Sequence, residues 1–160
     1  MKPMTAKVKR GDRRIYQKRM ALLQAALDPL AKQGASTAEI HARRGLMLNV
    51  YNTVPGEYER TKNLLRSVYA SGQGNGATLG ILVGDNANYA SLIEYGTGPH
   101  EMNPAQLQQH LEVLPKGGLL RFGRTGQAYL LPGPYIGPAI IYARTLTRER
   151  LHTLMQSLFL

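Results

Sequence analysis

The chain has 160 residues, 43% of them apolar, and a formal charge of +10. This length fits one domain with its own core, and the apolar fraction excludes global disorder. The lack of cysteine excludes disulfides and thiolate metal sites; no apolar run approaches the ~18 residues of a membrane span, and none follows the basic N-terminus as in a secretory signal.

Residues 1–11 have no periodicity and read as a flexible basic arm ending at Gly11, with residues 12–160 forming the single domain. The charge is concentrated at this end. Residues 1–66 hold 14 Lys and Arg against 5 Asp and Glu, whereas residues 67–160 hold 6 against 5. Lys7, Lys9, Arg10, Arg13, Arg14, Lys18 and Arg19 therefore form a candidate contact for a polyanion, either DNA or an acidic protein surface. The plainer reading of the same run is a solvated tail that aids solubility.

From Asp12 the apolar positions Ile15, Tyr16, Leu22, Leu23, Ala26, Leu27 and Leu30 fall near a 3.6-residue period, which predicts a first helix. Pro29 is expected to end or kink it, with Gly34 closing the region. Ser36 and Glu39 have capping-box spacing and predict a second helix running to Pro55-Gly56. Two strands follow, over 66–71 and 77–84, with Leu79, Ile81 and Val83 on one face. Gly72 to Gly76 reads as the flexible hairpin loop between them. Its G-x-G-x-G pattern is a poor nucleotide cradle, because no helix N-terminus follows it.

Asp85-Asn86 turns the chain, and Asn88 can cap a short helix that places Tyr89, Leu92 and Ile93 on one face and ends at a left-handed Gly96. Residues 98–133 are turn-rich. Within them Asn103-Pro104 predicts a helix through Leu111, and 119–122 with 128–131 predict a second hairpin. Pro138 suits the first turn of a terminal helix whose buried stripe includes Ile140, Ile141, Ala143, Leu151, Leu154, Met155 and Leu158. The fold class is α+β: two N-terminal helices, a small mainly antiparallel β-sheet with hairpins, and a C-terminal helix packed on the sheet.

No catalytic constellation stands out. His41, His100, His110 and His152 are scattered, without zinc-binding spacing. No serine sits in a G-x-S-x-G elbow, and Asp85, Glu94, Glu101 and Glu112 are too separated for a two-metal centre. The expectation is a non-enzyme without cofactor or metal. The alternatives are a stand-alone basic protein binding DNA without sequence preference, and a small hydrolase whose site the sequence does not reveal.

Three blocks carry a resemblance. Residues 55–67, P-G-E-Y-E-R-T-K-N-L-L-R-S, are similar to a P-x-x-x-x-R-T-G-x-L-x-x-S pattern, with Lys62 in place of glycine. Residues 89–97, Y-A-S-L-I-E-Y-G-T, and residues 134–139, P-Y-I-G-P-A, follow in the same order. Together they resemble the neck, or tail-completion, proteins of long-tailed bacteriophages.

The resemblance implies a structural virion protein at the head–tail interface, made in the host cytoplasm. It would form a cyclic ring, a hexamer by the six-fold symmetry of tails. Its neighbours would be a head-closure or adaptor protein and a tail terminator or tail tube protein, with genomic DNA in the channel. The motif residues it singles out are Arg60, Thr61, Leu64, Ser67, Tyr89, Glu94, Tyr95, Gly96, Thr97, Pro134 and Pro138. In physical terms Arg60 is a candidate partner for Glu94, Thr61 and Ser67 suit capping or turn bonds, and the two prolines stiffen the approach to the last helix.

Overall fold

The computed structural model of the chain describes residues 10–52, 61–97, 101–118 and 132–159, and the statements below refer to these. Their architecture is α+β, with one long N-terminal helix, a two-stranded antiparallel sheet and a long C-terminal helix. Of the sequence expectations, residues 1–9, Arg60, the Pro55-Gly56 break and the 119–131 hairpin lie outside the described residues.

The two expected N-terminal helices are one. Helix α1 runs unbroken over Arg10–Leu46, through Pro29, and continues as a wider π-turn over Met47–Tyr51. It also begins inside the segment read as a flexible arm. Pro29 removes one backbone hydrogen bond on the exposed side of the helix, while packing on the other side continues past it. Gly34 is a contact position rather than a stop: a β-carbon there would lie 2.4 Å from Ile81 and 2.5 Å from Thr147. Ser36 is exposed in mid-helix instead of capping a new one. The small residues Ala31, Ala35, Ala38 and Ala42 complete a seam that lets the sheet and the last helix approach closely.

After a short helix α2 (Asn63–Ser67), strands β1 (Val68–Gly74) and β2 (Leu79–Asp85) pair antiparallel, from Val68 opposite Asp85 to Gly74 opposite Leu79. The hairpin is as expected, but its register moves. Arg66 and Ser67 belong to α2, and Gly72 and Gly74 are strand residues, not loop. Both lie against the α1 backbone: an added β-carbon would meet the Ala31 carbonyl oxygen at 2.0 Å and the Asp28 amide nitrogen at 2.5 Å. The turn itself is Asn75 to Thr78, closed by the Asn75 side chain accepting from the Thr78 hydroxyl at 2.6 Å and its amide at 3.1 Å.

Lys62, just before α2, has φ 59° and ψ 17°, the left-handed region that glycine tolerates best. Lys62→Gly is expected to raise stability by up to about 1 kcal/mol in urea denaturation, since relief of the left-handed strain outweighs the added chain entropy.

Helix α3 (Ala90–Tyr95) follows, then α4 (Pro104–Glu112) and α5 (Ile136–Phe159). The expected α4 is present with a full capping box: Asn103 accepts from the Gln106 amide, and the Gln106 side chain accepts from the Asn103 amide. In α3 the expected face is corrected. Ile93 and Glu94 are buried, whereas Tyr89 and Leu92 are exposed and the N-terminal position, Tyr89, has no side-chain cap. Pro138 lies in the first turn of α5 as expected. The buried stripe there is Pro138, Ala139, Ala143 and Thr147, with Ile140 and Met155 turned outward. The reason is spacing: the α1 seam is built of small residues, so α5 answers it with small residues and expels its large ones.

Helices α1 and α5 are antiparallel neighbours, as the pairs Tyr16–Phe159, Gln33–Arg150 and His41–Tyr142 show. The core lies between them and the sheet, centred on Leu46, Leu64 and Tyr135. Arg43 fastens α1 to the start of the sheet. It donates to the Leu65 and Val68 carbonyls at 2.9 and 3.2 Å while paired with Glu39.

His41 is buried against the Tyr142 ring with Nε2 3.3 Å from the Gly117 carbonyl oxygen, and its Nδ1 has no partner among the described residues. Burial holds its pKa below 6.5, and nearby Arg44 pushes the same way, while the Gly117 bond opposes them. Because the folded value lies below the unfolded one, the unfolded chain takes up the proton first as pH falls. Stability from this site is therefore complete above the unfolded value of 6.5 and falls as the pH drops toward the folded value. A thermal-midpoint series across this range should show the slope, and His41→Gln should flatten it.

Candidate functional site

Glu94 and Asn49, two of the buried polar residues, meet Asp85 and Tyr135 in the region where β2 ends, α3 passes and α5 begins. Asp85 closes β2. Its Oδ1 accepts from the Ser67 hydroxyl at 2.6 Å and the Ala87 amide at 2.9 Å, and its Oδ2 from the Tyr135 hydroxyl at 2.9 Å. One carboxylate thus ties α2, the turn after β2 and the start of α5. Burial, with the Asp85 carboxylate second, pushes the Tyr135 phenol far above its usual value, so it stays a neutral donor.

Glu94, buried in α3, faces the first turn of α5. Its Oε2 accepts from the Tyr135 and Ile136 amides at 2.8 and 3.0 Å, and its Oε1 from the Gly137 amide at 2.8 Å. The first amides of a helix have no partner within it, and the helix dipole favours negative charge there. A residue 42 positions upstream of Ile136 therefore supplies the anionic cap of a 24-residue helix. Burial raises the Glu94 pKa above the ordinary carboxylate value against the opposing pull of the three amides. A backbone bond from the Gly133 amide to the Ile93 carbonyl at 2.8 Å, and one from Asn49 Nδ2 to the Pro134 carbonyl at 3.1 Å, hold the approach to α5 from two more sides.

Outside this joint lies an open cleft of about 340 Å³ between α3, α4 and the start of α5, lined by Ser91, Glu94, Tyr95, Leu107, Leu111 and Ile140 among others. The carboxylate oxygens that border it are engaged in the bonds above. Among the described residues no group of three or more His, Asp or Glu side chains could hold a metal ion. What the arrangement does chemically is cap, neutralise and fix.

The structure brings together residues from all three sequence blocks. Ser67 meets Asp85, and Asp85 meets Tyr135; Glu94 caps the backbone of the Pro134–Ala139 block. Thr61 accepts from the Asn63 amide at 3.4 Å, Leu64 is buried, and Pro134 and Pro138 are fully enclosed. Gly96 ends α3 with φ 81°, its amide bonded to the Leu92 carbonyl at 3.0 Å. Tyr95 offers its carbonyl to Met102 at 2.7 Å, and Thr97 is half-buried. Tyr89 is exposed, yet near enough to the joint to act electrostatically on the Tyr135 phenol. The Arg60 half of the expected ion pair lies outside the described residues, and every partner found for Glu94 within them is a backbone amide.

Of the basic set, Lys7 and Lys9 lie outside the described residues and Arg10 opens α1, while Arg13, Arg14, Lys18 and Arg19 are exposed on its first turns. These turns lie 30 to 36 residues before Asn49, about 45–54 Å along the helix at 1.5 Å per residue. Charge and joint are thus separate features.

Sequence reasoning missed Asp85, Asn49 and Arg43 as tying residues. Asp85 stood at a recognised turn, and an aspartate there is a common turn former. Asn49 and Arg43 carry no local signal. Comparison of the chain with family models, curated proteins and solved structures gives no match.

Proposed function

We propose that this chain is a structural subunit of the neck of a long-tailed bacteriophage, acting at the head–tail interface as part of a closed ring. The observation that carries this reading is the convergence of the three motif blocks on the Asp85–Glu94–Tyr135 joint. Residues far apart in sequence have their shared use in fastening one helix to the domain. Lys62 adds support, because the place where the motif has glycine takes a left-handed backbone. A subunit that transmits load between head and tail needs such a pinned body, and identical subunits meeting head-to-tail through unlike faces close into a cyclic ring. By the same resemblance the ring is a hexamer, its neighbours are a head-closure or adaptor protein and a tail terminator or tail tube protein, and the chain is not an enzyme.

Imaging of particles made without this protein tests the reading. Filled heads and tails should both form and fail to join into infectious particles; normal infectious particles would rule it out. The second reading is a basic DNA-binding protein, favoured by the four exposed cations on the first turns of α1. It requires the isolated chain to bind duplex DNA tightly and with steep salt dependence, and to lose that binding when these four are replaced by glutamate.

A further inference from the structure

The end of the molecule opposite the joint is a two-helix prong. From residue 12 to residue 26 of α1, and from residue 148 to residue 159 of α5, no side chain is fully buried. The two segments touch through Tyr16 and Phe159, whose ring centroids are 6.0 Å apart. Apolar side chains are nonetheless plentiful. Ile15, Tyr16 and Leu22 are 53%, 56% and 51% exposed, and Met155 is 45% exposed. Two helices without a buried core between them are marginal, and a third element would complete the packing.

The pattern on α1 says what kind of element. Ile15 and Leu22 are seven residues apart, the spacing of a helix–helix seam. Lys18 and Arg19 stand between them on the same face, at i+3 and i+4 from Ile15, and Arg14 flanks it. The prong carries Arg13, Arg14, Lys18, Arg19, Arg148 and Arg150 against Asp12 and Glu149, and Glu149 is already paired with Lys116 of the body.

We infer that this prong is the docking site for an acidic amphipathic helix of another protein, one with an apolar stripe bordered by carboxylates. The stripe would seat on Ile15 and Leu22 and the carboxylates on Lys18 and Arg19, giving a helix-in-groove interface with a charged rim. A second copy of this chain is disfavoured, because two prongs would bring like charges together. Duplex DNA would use the cations and leave the apolar stripe in water. A membrane surface calls for a broad apolar face, and this one is a narrow seam interrupted by cations. The inference stands on the prong alone and holds whichever way the virion reading falls.

The test uses the full chain and a labelled synthetic peptide of about three heptads, with leucine along one stripe and glutamate beside it, read by fluorescence anisotropy. Saturable binding is expected, at least roughly tenfold tighter than to a scrambled peptide of the same composition. Ile15→Ser with Leu22→Ser, and separately Lys18→Glu with Arg19→Glu, should each weaken binding by roughly tenfold or more at an unchanged thermal midpoint. The inference is overturned if the striped peptide does not bind, if the scrambled peptide or a short duplex DNA binds as well, or if the substitutions have no effect. Equal binding to phosphatidylglycerol vesicles, or self-association through the prong in light scattering, would also overturn it.

Discussion

Glu94→Ala is expected to destabilise the protein by about 3 kcal/mol or more, read as a fall in the urea midpoint at constant slope. The side chain is 6% exposed and accepts from three amides at the start of α5. Truncation leaves those donors in a buried site, and each unsatisfied group costs about 1–3 kcal/mol less whatever water can recover. Glu94→Gln separates shape from charge. Its carbonyl oxygen can keep part of the network, so the loss should be smaller.

The two variants also differ in pH response. Burial sets the folded pKa of Glu94 above the unfolded value of 4.5, so its contribution is fully present below that value and is lost as pH rises through the folded one. The stability gap between wild type and Glu94→Gln should accordingly narrow with rising pH over that window. A gap that widened would show that the amides outweigh desolvation. If Glu94→Ala proved nearly neutral, the joint would not be what holds α5 in place.

Gly72→Ala is the second large effect, again about 3 kcal/mol. The new β-carbon would sit 2.0 Å from the Ala31 carbonyl oxygen, a backbone atom of α1, and a β-carbon is itself fixed by the backbone that carries it. No rotamer change can relieve that contact, so α1 and β1 must separate and open the interface along which the core is built. Gly74→Ala meets the Asp28 amide at 2.5 Å and should behave alike. Gly80→Ala is the control on the neighbouring strand. Its nearest atom is 3.9 Å away, so the change should be neutral or stabilising by about 0.5 kcal/mol. Circular dichroism during urea denaturation would separate the three.

These glycines also show why part of the fold was legible and part was not. The change from helical to alternating period placed the hairpin within a few residues of where it is, and Asn103-Pro104 placed the start of α4, whose end at Glu112 lies one residue beyond the expected Leu111. Both signals are local, written in side chains that bond or pack within one element. Pro29, Gly34 and Ser36 also looked local, and their usual meaning predicted a break. The helix continues because its other face is committed to the sheet and to α5, and packing along that face outweighs the cost of about 3 kcal/mol of an interior proline and the weaker preferences of Gly34 and Ser36. Gly34 ends nothing; it makes room for Ile81 and Thr147.

The site divides in the same way. In the sequence Glu94 belongs to the 89–97 block, and its expected partner is the cation Arg60. What it meets among the described residues is the amide end of a helix 42 residues later, and that pairing has no local signature. Asn49 and Arg43 were silent for the same reason.

By itself the sequence determined the α+β class, the hairpin, the start of α4, the proline-led last helix and the uneven charge. Each follows from periodicity, capping chemistry or charge that neighbouring residues carry alone. Only the tertiary structure decided that α1 is one helix, that Gly72 and Gly74 are contact surfaces, that Glu94 caps α5, and that the basic end of α1 stands away from the body as a prong. Those outcomes depend on which backbone approaches which, and on what remains uncovered once the core has closed.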